Sequence, residues 1–475
     1  MKPTDIQETG YFHKVVDCQW ACPAHTPVPE YIRLIAAGRY SDAYMVNWHS
    51  NVFPGILGRT CDRPCEPACR RGRVEEGNVE MRRPQAGEHV PQPEPVAICR
   101  LKRVAADFKG DDIKARLPRP AARKNGKRIA CVGAGPASLT VARDLAPLGY
   151  HVTIFDQDPR AGGMIWSQIP RFRLPMEVID EEVGYILDLG VDFKPGVRID
   201  SLQKLMSEGY DAIFVGSGAP RGRDLDIPGR KEAAAHIHIG IDWLSSVSFG
   251  HVSQIGRRVI VLGGGNTAMD CCRSSKRLGG EDVKVIVRSG YEEMKASPWE
   301  KEDATHEGIP ILNYLVPKSF EHDNGRLTGM TFEKVKAVYD EKGRRNLIPT
   351  GEPDQLFECD DVLVAIGQEN SFPWMERDIG LEFDKWGMPA VDKVTMQSTL
   401  PNVFFGGDAA FGPKNIIWAV AHGHDAAISI DKLLNGENIR ERPAPGVTLM
   451  SQKMGIHEWS YDNDISNELR YKVPP

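Results

Sequence analysis

Six of the chain's ten cysteines lie in its first hundred residues: Cys18, Cys22, Cys61, Cys65, Cys69 and Cys99. Two stretches hold five of them, "CQWACP" and "CDRPCEPACRRG", and within each the thiols recur every four residues. The opening "MKPTDIQETG" lacks the layout of an export signal, so such a cluster reads as metal or redox chemistry before it reads as disulfides. Structural zinc prefers C-x2-C knuckles; these are C-x3-C steps, and Pro23 follows Cys22 as in ferredoxin-type runs, which favours an iron–sulfur cluster over zinc. The other cysteines read as packing residues: Cys131 in an apolar strand, Cys271 and Cys272 side by side on a helix, and Cys359. No C-x-x-C pair occurs, which argues against disulfide reduction.

Two glycine-rich turns carry a second kind of chemistry. In "RIACVGAGPASL", Gly133, Gly135 and Ser138 follow an apolar strand in G-x-G-x-x-G/A places, the turn running through Ala134, Pro136 and Ala137. The first glycine permits the tight turn, the second admits a pyrophosphate, and the third place needs a small residue for helix–strand packing. The next strand ends at Asp156, where a carboxylate can accept from ribose hydroxyls. In "RRVIVLGGGNTAMD", Gly263, Gly265 and Ala268 repeat the pattern about 130 residues later. Here the second strand ends at Arg288, a place from which a 2′-phosphate could be met or an adenine covered. "FFGGDAAFG" then offers Asp408 at a strand end before a helix start, suited to a ribityl chain, with helix N–H groups to stabilise negative charge on a reduced flavin. Alone, Asp408 reads equally well as a helix N-cap.

These residues need scaffolds. A chain of 475 residues, 41% hydrophobic and 26% charged, suggests two or three globular domains and excludes fibres and long disordered chains. No apolar run nears the ~20 residues of a membrane helix. The span Arg59–Arg128 carries 18 Lys or Arg against 10 Asp or Glu, so the net charge of -6 hides a basic region beside an acidic remainder. That asymmetry could steer an acidic partner or anion, or be no more than a solvated surface. Apolar spacing predicts two short helices over Val28–Asn47 with a turn at Gly38, and another along "VAICRLKRVAADF". "RLPRPAARKNGK" reads as a linker, and two βαβ units follow.

On five motifs in order, "CQWACPAHTPVPEYI", "GRTCDRPCEPACRRG", "VGAGPASL", "LGGGNTAMDCCR" and "FFGGDAAFG", the chain resembles the small (beta) subunit of bacterial glutamate synthase and its relatives, including the amino-terminal half of dihydropyrimidine dehydrogenase. The resemblance spans roughly residues 18 to 435. It implies an α/β fold of two Rossmann-like dinucleotide-binding domains, for FAD and for NAD(P)H, the second inserted in the first, preceded by an α-helical iron–sulfur domain. Boundaries are expected at 1–125 for the helical domain and linker, 126–245 and 361–440 for the FAD domain, 246–360 for the NAD(P)H domain, and 441–475 for a partner-contacting tail. Carried over, Gly133, Ala134, Gly135, Pro136, Ala137, Asp156, Gly163, Gly407, Asp408, Ile416 and Ile417 would contact FAD. Gly263, Gly265, Asn266, Thr267, Ala268 and Arg288 would contact NAD(P)H. The resemblance also brings the helix carrying His422 and His424, and the "IPRFRLP" loop with Arg171 and Arg173, near the flavin.

The departures are specific. The family has a further C-x2-C pair upstream, which this chain lacks, so its cysteines cannot supply two clusters of four thiolates. Lys102 stands where the family places a Gln or Glu ligand, and Cys99 lies one helical turn away on the same face. One 4Fe–4S cluster on Cys22, Cys61, Cys65 and Cys99 is therefore expected, with Cys18 and Cys69 as remnants of a second site or a substitute pair. The expected function is a cytoplasmic electron-transfer flavoprotein subunit. It would pass electrons between NAD(P)(H), FAD and the cluster to or from a partner oxidoreductase subunit, itself iron–sulfur or ferredoxin-like, as in 2-oxoacid or aldehyde oxidoreductase complexes that reduce NAD+. The alternatives are a glutamate synthase-type subunit oxidising NADPH and a stand-alone flavoprotein reductase with its own organic substrate. No nucleic-acid partner is indicated, and hydride transfer between stacked cofactors calls for no catalytic acid or base.

Overall fold

The computed structural model describes residues 16–69, 71 and 94–443. The expected partner-contacting tail beyond residue 443 lies outside the described residues. In chain order the helical segment comprises α1 (Asp17–Ala21), α2 (Val28–Ala36), α3 (Tyr40–Asn51), α4 (Pro54–Thr60), α5 (Ile98–Asp107) and α6 (Ile113–Arg116). Then follow β1 (Arg128–Val132), α7 (Pro136–Leu145), β2 (His151–Asp156), α8 (Met164–Ser167), α9 (Met176–Leu187), β3 (Asp192–Pro195), α10 (Leu202–Ser207) and β4 (Ala212–Val215). The next run is β5 (Arg221–Gly222), β6 (Ile237–Ile239), α11 (Gly240–Ser248), β7 (Arg258–Leu262), α12 (Asn266–Arg277), β8 (Asp282–Val287), α13 (Pro298–His306) and β9 (Ile311–Asn313). Strands β10 (Leu315–Asp323), β11 (Arg326–Tyr339), β12 (Arg345–Pro349), β13 (Gln355–Glu358), β14 (Asp361–Val364) and β15 (Gln368–Glu369) precede β16 (Val403–Phe405), α14 (Asp408–Phe411) and α15 (Ile416–Leu434). None of the helices among the described residues is long and apolar enough to cross a membrane.

These elements divide into two compact units. One holds the described residues up to Ala161, Leu174–Ser217 and those from Trp374 onward; the other holds Gly162–Arg173 and Gly218–Pro373. The second unit thus starts and ends at other places than the expected 246 and 360. The reason is strand pairing: β6 and β14, placed by the sequence in the flavin domain, hydrogen-bond in parallel to each other and β14 to β7.

In the first unit a five-stranded parallel sheet runs β16-β4-β1-β2-β3. Strands β1, β4 and β16 are apolar and buried on both faces, as a parallel sheet covered by helices requires. In the second unit the order is β6-β14-β7-β8-β9, also parallel, and an antiparallel sheet of β10, β11, β12 and β13 is added to it in sequence. In the first sheet the chain starts at the central β1, builds outward through β2 and β3, and returns to build through β4 and β16. In the second it enters at the edge strand β6, crosses to the central β7, builds through β8 and β9, and returns as β14 between β6 and β7. Each therefore has a switch point where two neighbouring strands lead to opposite sides, the place where open α/β sheets bind ligands.

Within the first unit the helical segment is held by specific contacts. Val28, Tyr31 and Leu34 recur at helical spacing and are buried, and Gly38 at φ +71° lets the chain turn into α3. Helices α4 and α5 cross so closely that a Cβ on Gly58 would lie 2.7 Å from the Arg103 backbone. Glu182 of α9 is 1% exposed and accepts from the Gly55 N–H at 2.6 Å, the Ile56 N–H at 3.0 Å and the Tyr44 hydroxyl at 3.0 Å. It thereby satisfies the first free donors of α4, the helix that leads into Cys61.

Removing that acceptor strands three donors in a dry site. Glu182→Ala should lower stability by about 2–3 kcal/mol, read as a drop in Tm. Burial pushes the Glu182 carboxyl up to about 7 from 4.5. Because the folded value lies above the unfolded one, its contribution is complete below pH 4.5 and is lost as pH rises through about 7. Glu182→Gln removes this titration, so the Tm gap between variant and wild type should change across that window and be flat above it.

Candidate functional site

The first glycine turn sits at the switch point of the first sheet. Gly133 follows β1 at φ +91°, and a Cβ there would fall 2.7 Å from the carbonyl oxygen of Gly216, which follows the neighbouring β4. Only glycine closes that gap. Gly135 is extended and caps α7 without any side-chain bond, and Pro136 opens the helix, so the first N–H groups of α7 are left for an anion. Ala137 and Ser138 are buried beneath the turn. At the end of β2, Asp156 accepts from the Ala134 N–H at 2.5 Å and the Asp158 N–H at 2.8 Å; burial raises its carboxyl above the usual range. Across the same sheet edge, β16 runs into Gly406, Gly407 and Asp408.

Helix α15 closes this site. It crosses α7 at Gly423, where a Cβ would meet Thr140 Cβ at 2.6 Å and the Ala137 carbonyl oxygen at 2.7 Å. Ile416 and Ile417 open α15 and are buried; Asn415 caps it by accepting from the Trp418 N–H at 3.3 Å. Asp408 opens the expected helix, but this is a single four-residue turn, and the long helix begins at Ile416. The intervening Gly412–Asn415 loop folds back so that Lys414 N–H donates to Asp408 Oδ1 at 2.9 Å. Burial pushes the Asp408 carboxyl up to about 6. His422 Nδ1 accepts from the Gly407 N–H at 3.2 Å and its ring meets Phe411 edge-on. His424 joins Asp144 Oδ2 and the Ser50 carbonyl, so it ties α15 to α7 and α3 and is only partly exposed. Gly163 belongs to the second unit, where it caps α8.

The second turn repeats the construction. A Cβ on Gly263, at φ +138° after β7, would fall 2.1 Å from the Ala365 carbonyl oxygen that follows β14. Gly265 is extended and caps α12 without a side-chain bond. Around this turn lies a cavity of about 570 Å³ lined by Gly263, Gly265, Thr267 and Arg288 among others. Ala268 is fully buried behind it. Asn266 turns the other way: its Oδ1 accepts from the Ser297 N–H at 2.8 Å, fixing the loop after β8. Within this unit Arg173 is saturated by Asp270, at 2.7 Å to both oxygens, and by Glu300 at 2.6 Å, while Arg273 and Arg277 flank Phe172. The "RFR" loop is therefore a clamp on α12, and Arg171 donates to the Trp166 carbonyl.

Cys22, Cys61, Cys65 and Cys99 are all buried. The Cys99 thiol interacts directly with Cys61 and Cys65, and Cys99, Cys61, Cys22 and Cys65 all act on Lys102, raising its pKa although burial works the other way. Tyr31, fully buried, donates to the Ile98 carbonyl at 2.9 Å and is raised by burial, with Cys99, Cys65, Cys22 and Cys18 adding to it. Cys18 is raised to about 11 by burial and then by Cys69. Among the described residues no group of three or more His, Cys, Asp or Glu suits a single metal ion. Four thiolates around one zinc stand only ~3.8 Å apart, from Zn–S bonds of ~2.3 Å; a cubane of iron and sulfide takes a wider ring.

Known proteins share this plan. The family described as pyridine nucleotide-disulphide oxidoreductase matches residues 127–423, and dihydropyrimidine dehydrogenase domain II, 4Fe–4S cluster, matches residues 12–112. The chain belongs to the pyridine nucleotide-disulphide oxidoreductase family. Glutamate synthase (NADPH) small chain of Azospirillum brasilense is 30% identical over 87% of this chain and 85% of that one. NADP(+)-dependent formate dehydrogenase subunit beta of Moorella thermoacetica is 33% identical, and NADPH-Fe(3+) oxidoreductase subunit beta of Geobacter sulfurreducens 31%. They are covered over 94% and 91% of this chain, which spans only 64% and 66% of their length. Among solved structures, Mycobacterium tuberculosis FprA in complex with NADPH (TM-score 0.53, 65% of this chain, 85% of that one) and T. acidophilum thioredoxin reductase (0.51, 64% and 96%) are each 19% identical and share the fold.

Membership in the pyridine nucleotide-disulphide oxidoreductase family implies FAD and NAD(P)H, and the amino-terminal match a 4Fe–4S cluster. The residues present fit these groups: two switch-point turns that a Cβ would fill, each opening an uncapped helix, and a set of buried thiols. The family's disulfide chemistry has no counterpart, since Cys271 and Cys272 are adjacent and buried.

His422 gives this site a pH limit. Burial, then Lys414, holds its imidazole down at about 4 against an ordinary 6.5. The folded value lies below the unfolded one, so its contribution is present above pH 6.5 and is lost as pH falls through about 4. Protonation there also removes the acceptor for Gly407 N–H. Retention of flavin, followed by fluorescence of released FAD, should drop through that window, and His422→Asn should shift the drop.

Proposed function

We propose that this chain is the flavin- and cluster-bearing subunit of a larger oxidoreductase, exchanging electrons with a separate iron–sulfur or ferredoxin-like partner. The observation that supports this most is the buried thiol quartet in the same chain as two dinucleotide cradles. A nucleotide cradle alone is common to many reductases; a route onward to a one-electron acceptor is not. The relatives whose names call them a beta subunit or a small chain support a partner of this kind. Six cysteines gathered for reduced, metal-binding chemistry suit a reducing compartment, which fits the cytoplasm.

Cys22, Cys61, Cys65 and Cys99 would hold the 4Fe–4S cluster. FAD, when bound, supplies two-electron exchange with a nicotinamide and one-electron exchange with such a cluster. The protein's own work is to bind and orient. The N-terminus of α7 and the Gly133–Ala137 turn would take the pyrophosphate, Asp156 would receive ribose hydroxyls, and Asp408 would receive the ribityl chain. The buried Ile416 and Ile417 keep water from that end of the site.

The test is purification of the native protein with whatever accompanies it, followed by flavin and iron–sulfur spectra and bleaching by NADPH and NADH. FAD, iron and sulfide should be present. Cys61→Ser, Cys65→Ser and Cys99→Ser should each lose iron while retaining FAD, and Cys18→Ser and Cys69→Ser should retain both. Iron-free wild type, or full turnover of an organic substrate by the chain alone, would overturn the reading.

A further inference from the structure

The cavity of the second unit has an end that the glycine fingerprint does not describe. Beyond Arg288, at the end of β8 where the adenosine ribose of a dinucleotide lies, its lining continues through Glu293 and Lys295 and reaches Arg345 of β12. Strand β12 belongs to the antiparallel addition, not to the nucleotide fold. Arg288, Lys295, Arg345 and Glu293 thus line the same pocket, together with Arg223, which pairs with Glu369 at 3.8 Å.

The carboxylate decides what this end recognises. An acid here would accept the 2′- and 3′-hydroxyls of NAD(H), but Glu293 is already engaged by three donors of the protein. Its Oε2 takes the Gly290 N–H at 2.8 Å and Arg345 Nη1 at 2.5 Å, and its Oε1 takes the Tyr339 hydroxyl. Those three donors also hold its carboxyl below the usual range, Tyr339 first. Glu293 therefore works as a bracket for Arg345. Arg288 and Lys295 are exposed, and neither has a hydrogen-bond or ion-pair partner among the described residues. A ribose hydroxyl offers such a set little, whereas a phosphate monoester carries close to two negative charges and three acceptor oxygens.

We propose that Arg345, bracketed by Glu293 and Tyr339, joins Arg288 and Lys295 in binding the 2′-phosphate of NADP(H), and so sets the preference for NADP(H) over NAD(H). The inference rests on reading the second unit as the nicotinamide-dinucleotide domain. Arg345 retains guanidinium donors beyond the one given to Glu293, and a guanidinium matches the planar spacing of phosphate oxygens. Glu293 and Tyr339 are positioning residues. They hold Arg345 at the pocket, which spares the ligand the cost of ordering a long side chain.

The full FAD-loaded chain is titrated calorimetrically with 2′,5′-ADP and with 5′-AMP, which differ by this phosphate alone. Wild type should favour 2′,5′-ADP by at least about tenfold. Arg345→Gln should weaken 2′,5′-ADP by about 10- to 100-fold, the range for a hydrogen bond between charged groups, with 5′-AMP changed by less than about twofold. Glu293→Gln should weaken 2′,5′-ADP by about three- to tenfold and lessen the salt dependence of its binding; the Tm and flavin content of both variants report folding. Equal affinity of wild type for the two nucleotides, or equal weakening of both by Arg345→Gln, would overturn the proposal. Flavin reduction by NADH as efficient as by NADPH overturns it while leaving the proposed function standing. Failure of both nucleotides to bind, with neither dinucleotide reducing the flavin, overturns that function as well.

Discussion

In both parallel sheets one contact sets everything around it: the first glycine of the turn pressed against the carbonyl that ends the adjacent strand. Gly133 meets Gly216, and Gly263 meets Ala365. At both places the backbone has a positive φ and there is no room for a Cβ, so the two constraints act together. This contact brings the start of the following helix over the crevice between diverging strands, and it leaves the helix N–H groups uncapped and facing that crevice. The supporting layers repeat the logic one step further out. Gly423 lets α15 lie against α7, and Gly264 carries the carbonyl that accepts from Ala296 N–H. A substitution at Gly133 or Gly263 would displace the very donors on which anion binding depends.

The helical segment obeys a related constraint without any sheet. Its thiols come from three separated places, and only close helix crossing can assemble them. Gly58 allows α4 to touch the backbone of α5, which brings Cys61, at the end of the first helix, to Cys99, near the start of the second. Tyr31 and Glu182 then fix the two helices from either side, by a phenol on the Ile98 carbonyl and a carboxylate on the first N–H groups of α4.

What was legible in the sequence was local. The turns through Gly133 and Gly263, the helical face shared by Cys99 and Lys102, and the end-of-strand positions of Asp156 and Arg288 all follow from spacing of two to about twenty residues. What was not legible depends on partners chosen by tertiary packing. Nothing near Glu182 announces that it will cap a helix 127 residues earlier, and nothing near Arg345 announces that a hairpin will return it to Glu293. The placement of β6 and β14 went astray for the same reason: a three- or four-residue apolar strand does not say which sheet it joins. Asp270 shows the converse. It lies inside the most specific motif of the chain, yet its carboxylate is spent on Arg173, so the motif is partly a packing signature.

Lys102 is a cation buried among the amino-terminal cysteines, and electrostatics accounts for it. The ammonium is 3% exposed, a placement that costs several kcal/mol unless anionic charge stands beside it. The groups around it that favour its charge are Cys99, Cys61, Cys22 and Cys65. As thiols they give it little; as thiolates, the form that metal ligation demands, they balance it. The same positive charge lowers the cost of gathering several thiolates in one dry ring. A residue that cannot ligate is thus the internal counter-ion that would make this buried set of cysteines tolerable as thiolates.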